Sequence, residues 1–151
     1  MGDAVRIDSW EYVAGFFDGE GGLYIAKQIR KDGRVIHRLT CSITNTNKKV
    51  MEELSKFICH PMYTCDYKPP MKTRYDIRLH GRKAVTFLLE VQPFVVAKEE
   101  QIYLALEFAD RFSRSRRRLS KDEIEIRDKT MLKLKLLNGR KGGWPSALKQ
   151  G

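Results

Sequence analysis

Two runs of alternating residues joined by a tight turn constrain this chain more than any other feature in it. Over GLYIAKQIR, Leu23, Ile25, Lys27 and Ile29 fall on one side, and Tyr24, Ala26, Gln28 and Arg30 on the other. Over VIHRLTCSITN, Val35, Leu39, Cys41 and Ile43 alternate with Arg38, Thr40, Ser42 and Thr44. Successive strand residues point to opposite faces, so a period of two is the mark of a strand. Between the runs, KDGR holds Asp32-Gly33, a pair suited to the positive φ angles of a tight hairpin turn. The pattern predicts a long β-hairpin with one oily face and one polar, partly cationic face.

An oily sheet face needs helices laid over it, and the flanking sequence supplies them. Ser9 or Asp8 can cap a helix that starts near Trp10, runs through Tyr12, Val13, Phe16 and Phe17, and stops at Gly21 and Gly22. NKKVMEELSKFIC places Val50, Met51, Leu54, Phe57 and Ile58 at helical spacing. After Pro61 comes a shorter hairpin with strands of about MYTCDYK and KTRYDIRL, joined through Pro69-Pro70. In its second strand Tyr75, Ile77 and Leu79 face one way, and Arg74, Asp76 and Arg78 the other. Gly81 to about Val91 reads as a helix stopped by Pro93, and Ile102, Ala105, Leu106, Ala109 and Phe112 mark another. Ser120-x-x-Glu123 is a capping box for a last helix ending near Asn138-Gly139, and the tail GRKGGWPSALKQG has no clear period. The order is αββαββα with one or two further helices, an α+β pattern with an antiparallel sheet and helices on one side.

Composition narrows the function. The 151 residues predict one domain, or a small domain with an appendage, and 42% hydrophobic content is enough for a core. No apolar run approaches the roughly 18 residues of a membrane span. The opening MGDAVRIDSW has neither an apolar signal core nor the Ser or Thr of a myristoylation signal, so an intracellular protein is expected. Cys41, Cys59 and Cys65 are an odd number and predict buried thiols rather than disulfides; Cys59-His60 with Cys65 lacks a fourth ligand at zinc spacing. Lys and Arg number 29 against 19 Asp and Glu, a net charge of +10, which points to a polyanionic partner and to nucleic acid first.

The polar sheet face gives that partner a surface. It gathers Tyr24, Gln28, Arg30, Arg38, Thr40, Ser42, Thr44, Arg74, Asp76 and Arg78. Arg can read guanine bidentately, Gln can read adenine, and hydroxyls can meet base edges or phosphates. A β-ribbon fits the major groove. An ordinary solvated face explains the alternation equally well, but it explains the excess of cations less well.

The segment with chemical content is VAGFFDGEG, Val13 to Gly21. Gly15 and Gly19 lie four apart on one helix face, although each glycine costs about 0.8–1.0 kcal/mol relative to Ala in a helix interior. That spacing predicts a second backbone approaching closely. Asp18 and Glu20 come at the helix end, where a carboxylate opposes the macrodipole unless a cation, such as a divalent metal, compensates. The segment resembles the signature of the LAGLIDADG homing endonucleases, with Ala14, Gly15, Asp18 and Gly21 identical to it. The order αββαββα is similar to the family core over about residues 8–112. Residues 113–151 would then be a C-terminal helical extension of a single domain spanning 1–151.

The resemblance implies a saddle-shaped antiparallel sheet and a site-specific, intron-encoded endonuclease that hydrolyses phosphodiesters of double-stranded DNA at a long pseudo-palindromic site, leaving short 3′ overhangs. It implies Mg²⁺, or Mn²⁺ or Ca²⁺ in its place, held by the Glu20 carboxylate and the Gly19 carbonyl. Many members carry Asp where this chain has Glu20. Asp18 would be structural, tying down the helix end. Lys98 matches the basic residue near the scissile phosphate, Asn45 the polar residue that holds catalytic water, and Lys49 is a further candidate for that pocket. Only one such motif occurs, so two chains related by a two-fold axis would cut the two strands, meeting at the Gly15 and Gly19 face. No membrane or small-molecule partner is expected. RFSRSRRRL, from Arg111 to Arg118, would either clamp flanking phosphates or form a solvated loop. An RNA-binding maturase and a non-catalytic DNA-binding regulator are the alternatives on the same scaffold.

Overall fold

The computed structural model describes residues 6–112 and 118–139. Helix α1 spans Trp10–Glu20, β1 Gly21–Ile29, β2 Val35–Asn45, α2 Lys48–Ile58, β3 Tyr63–Cys65, β4 Arg74–His80, α3 Arg82–Val91, α4 Glu99–Phe112 and α5 Lys121–Asn138. The order is the αββαββα expected, followed by two helices. The strands form one antiparallel sheet in the order β1-β2-β4-β3.

Local chemistry sets most of the boundaries. Ser9 caps α1 by accepting from the backbone N–H of Tyr12, and Asn47 caps α2 by accepting from Val50. Ser120 accepts from Glu123 N–H at the start of α5. The hairpin turn is closed by Arg30 N–H to the Arg34 carbonyl at 2.8 Å, with Gly33 at φ +84° as the Asp-Gly pair requires. At the other end of the hairpin, the chain turns from α1 directly into β1 across the Phe17 ring. A Cβ at Gly21 would collide with that ring and with the Phe17 carbonyl, so no side chain fits there.

The helices cover one sheet face. Leu23, Ile25, Leu39, Cys41, Ile43, Ile77 and Leu79 from the strands share a core with Val13, Phe17, Met51, Leu54, Phe87, Leu88 and Ile102 from the helices. Lys27 and His37 share this covered face but are not part of the apolar core. Instead Asp128 of α5 takes both, at 2.9 Å from Lys27 Nζ and 2.8 Å from His37 Nε2, and so pins α5 across the first hairpin. Asn138, at the end of α5, donates its side-chain amide to the Leu23 carbonyl, satisfying an acceptor on the outer edge of β1.

Three expectations need correction. The third strand is only Tyr63–Cys65, shorter than MYTCDYK, and β4 starts at Arg74 rather than Lys72. An edge strand extends only as far as its single partner pairs with it, and the register stops at Cys65↔Arg74. Of the thiols only Cys41 is buried; Cys65 is half-buried, and Cys59 is exposed at the C-cap of α2 with φ +59°. Among the described residues no group of three or more Cys, His, Asp or Glu is placed so as to hold a metal ion. No described helix is long and apolar enough to cross a membrane.

Candidate active site and nucleic-acid face

The end of α1 is stitched to the start of α4. Asp18 accepts from the backbone N–H of Val96 at 2.7 Å and of Lys98 at 3.1 Å. Lys98 supplies the carbonyl that receives the first bond of α4, from Ile102 N–H at 2.9 Å, so Asp18 satisfies the amide of the residue that caps α4 and that of Val96 before it. The carboxylate also sits at the positive end of the α4 dipole. Asp18 therefore ties the end of α1 to the start of α4. In return the Lys98 ammonium donates to the Asp18 carbonyl at 2.9 Å and lies 5.7 Å from the centre of the Phe17 ring. A cation thus meets the negative end of α1, whose own last turn contains no basic residue.

Glu20 is the last residue of α1, and both Glu20 and Gly19 are exposed. Glu20 immediately precedes the Gly21↔Ile43 pair, and Ile43 in turn pairs with Ile77. The register therefore puts Glu20 beside the Thr44–Asn45 end of β2. Lys98 is bound at the Asp18 carbonyl, two residues before Glu20, and the end of β2 lies beside Glu20 by register. Asn45 Oδ1 accepts from Asn47 N–H at 2.8 Å, which makes it the turn former that leads into α2. Lys49 is exposed on the first turn of α2, with no bond tying it to this group.

Gly15 and Gly19 are exposed, and a Cβ added to either would meet nothing within 4 Å. Nothing within the described chain therefore requires glycine at these positions. Around them Tyr12 is 48% exposed and stacks on Phe16 at 6.5 Å, while Phe94 and Val96 are also exposed.

On the other side of the sheet, Tyr24, Gln28, Arg38, Arg74 and Arg78 are exposed, Arg30 continues outward beyond β1, and Ser42 is half-buried. Thr40 and Asp76 belong to this face by register but are covered, at 1% and 6% exposure, which corrects the expectation that they present themselves to a ligand. Thr40 is paired with His80, Oγ1 to Nδ1 at 2.9 Å. Asp76 accepts from Thr44 Oγ1 at 2.6 Å and from Arg78 Nη2 at 3.3 Å, so its charge is spent on holding its neighbours. Arg74 lies 5.3 Å above the Tyr67 ring.

The sequence reading missed part of this face. His60, Tyr63, Cys65, His80 and Lys83 join Asp76 and Arg78 around an open cleft of about 500 Å³. His80 could have been found, because it continues the Asp76, Arg78 alternation by one step. Burial and the neighbouring Arg38, Arg78 and His60 hold its pKa below the usual histidine value, so it faces the cleft as a neutral imidazole at neutral pH.

No protein-family model and no curated protein matches the sequence. Solved structures do. An archaeal intron-encoded homing endonuclease, I-Vdi141I, complexed with DNA, superposes at a TM-score of 0.70 with 19% identity, covering 85% of this chain and 82% of its own. The homing endonuclease I-CvuI, in complex with a DNA target in the presence of Mg, gives 0.69 with 16% identity over 85% of this chain and 80% of its own. The LAGLIDADG homing endonuclease I-GzeII in complex with its DNA target gives 0.57 at 18% identity, over 72% of this chain but only 37% of its own.

The fold is that of the LAGLIDADG homing endonucleases.

Within that LAGLIDADG fold, the motif segment Val13–Gly21 of this chain is the body of α1 and the first residue of β1. The likeness is one of architecture: at these identities it carries the order of elements, not the role of any side chain.

Proposed function

We propose that this chain is a homodimeric, site-specific DNA endonuclease that hydrolyses phosphodiesters with the help of a divalent cation. The observation that carries the reading is the exposed Glu20 carboxylate at the helix end to which Lys98 is bound, beside a sheet whose outer face is cationic. Such a face suits a DNA groove, with Arg38, Arg74, Arg78 and Gln28 as base-reading candidates and Tyr24, Arg30, Ser42 and Thr44 beside them. Lys49 stays a candidate for the same surface.

One chain holds one Glu20, whereas a duplex has two strands. Two chains joined along Gly15 and Gly19 would bring two such acids together, and the apolar surroundings of those glycines support the seam. The lengths agree, since this chain matches most of I-Vdi141I but little more than a third of I-GzeII. A two-fold pair favours a long pseudo-palindromic site. Short 3′ overhangs belong to the same reading.

The donor set fits a hard cation. Mg²⁺ is commonly held by one or two carboxylates and keeps several waters. Glu20 and the Gly19 carbonyl would hold it, with the partner's acid completing a site that is incomplete in one chain. When bound, such an ion neutralises phosphate charge and makes water more acidic. Lys98 is positioned by its bond to the Asp18 carbonyl, and its ammonium would counter the charge that builds on the phosphate during attack. Asn45 would hold water at the end of β2.

The test is selection of cut sites from a random duplex library with Mg²⁺, run on the wild type and on Glu20→Gln. Cleavage by the wild type, and binding without cleavage by the variant, is expected. An uncut library, or a variant that still cuts, refutes the reading.

A further inference from the structure

The arginine-rich run between Arg111 and Arg118 is unexplained by the proposed site. Its two described ends behave differently. Arg111, at the end of α4, gives Nη1 to Glu123 of α5 at 3.3 Å, so that guanidinium is occupied within the helical extension. Arg118 instead reaches the first hairpin, where Nη2 donates to the Asp32 carbonyl at 2.7 Å. The Asp32 carboxylate is itself taken by Arg34, through the backbone N–H at 3.0 Å and Nε at 2.9 Å. Those bonds, with Arg118 nearby, hold its pKa below the usual carboxylate value, so its charge is matched rather than left to repel an anion. The tip then presents Arg30, Lys31, Arg34 and Arg118 against one acid that is already paired.

The position of the tip matters as much as its charge. β1 leaves Glu20 at Gly21 and runs nine residues outward. At about 3.3 Å per residue the tip stands roughly 30 Å from the carboxylate. Along a duplex that rises about 3.4 Å per base pair, this is roughly nine base pairs from the cut. Arg30 lies on the same side of the strand as Tyr24 and Gln28, so the tip extends the sheet's outer face. The bond to Asp32 uses one of the five N–H donors of the Arg118 guanidinium.

We infer that Arg118, anchored on the hairpin tip, is a DNA-phosphate contact on the target's outer flank. The inference rests on the DNA-binding reading above. It makes the helical extension part of the binding surface, and it assigns Arg118 to affinity rather than to base choice.

The test measures affinity for a synthetic duplex of mixed sequence across a series of salt concentrations. Each phosphate contact adds about 0.9 to the slope of log affinity against log salt. Arg118→Gln should reduce that slope by about 1, Arg118→Lys should largely keep it, and Arg111→Gln should leave it unchanged. The pair Arg30→Gln with Lys31→Gln should reduce it by about 2. Those side chains hold no part of the Asp32 anchor, so this arm reads whether the tip meets the duplex at all, and a slope unchanged by it overturns the placement of the tip, and with it of Arg118, on DNA. A wild type with no salt-dependent affinity for the duplex overturns the DNA-binding reading itself. A wild type that binds, with an Arg118→Gln slope equal to its own, overturns only the role of Arg118. A loss confined to a structured RNA hairpin run in parallel overturns it in favour of an RNA contact.

Discussion

Replacing Gly15 with Ala separates two accounts of α1 by the sign of its effect. Gly15 lies inside an eleven-residue helix, is exposed, and has nothing within 4 Å of an added Cβ. In a chain that works alone, the new methyl group meets only water. The helix then gains the usual difference between Gly and Ala, about 0.8–1.0 kcal/mol. For a domain of this size that raises the melting temperature by roughly 2–4 °C. If the glycine face is a seam against a second copy, the same methyl enters a close helix contact. Overpacking there costs about 1–3 kcal/mol, which weakens association by about fivefold to 150-fold. Sedimentation equilibrium and thermal unfolding of the wild type, Gly15→Ala and Gly15→Leu, at one protein concentration, distinguish the cases. The expected result is a dimeric wild type whose mass and melting temperature both fall along the series. A Gly15→Ala protein that melts higher than the wild type at unchanged mass would refute the argument, as would a monomeric wild type.

Two other substitutions test the networks around the site. Asp76→Asn removes a covered negative charge that holds Thr44 and Arg78 on a cationic face. Binding to non-cognate duplex should tighten, while discrimination at the base nearest Arg78 falls by about 1–3 kcal/mol; competition binding reads both, and an equal loss on every sequence sinks the assignment. Asp128→Asn tests the clasp on α5. The hydrogen bond from Lys27, helped by the one from His37 and opposed by burial, holds the Asp128 carboxyl below the usual carboxylate range. A depressed carboxylate contributes stability that is present above the unfolded value and is lost as pH falls through the folded one. The stability gap between wild type and variant should therefore be steady at neutral pH and shrink below about pH 4. A gap that widens on acidification would show that another group governs the clasp.

Much of this architecture was legible in single residues. The alternation through Leu23, Ile25, Leu39, Cys41 and Ile43 marked the covered face because strand side chains can only point to one side or the other. Ser120-x-x-Glu123 marked the start of α5 because capping is a local bond. The same rule assigned Thr40 and Asp76 to the outer face correctly, yet gave no hint that neighbours on β4 and β2 would cover them. Lys27 alternates with the core residues, and only the partner that arrives a hundred residues later explains how a lysine can lie there. Across the first hairpin the length of each strand was readable; β3 was not, because an edge strand ends where its one neighbour stops pairing.

By itself, then, the sequence determined which elements form, which faces are oily, and that an acid stands at the end of α1, because these follow from local periodicity and local hydrogen bonds. Tertiary structure alone decided what surrounds that acid. Asp18 holds the amides of residues 96 and 98, and Lys98 returns its ammonium to the Asp18 carbonyl. These partners are about eighty residues apart in the chain, and no local pattern encodes their meeting. It arises because α1 and α4 must both pack on one sheet face, which leaves the positive end of one helix dipole beside the negative end of the other.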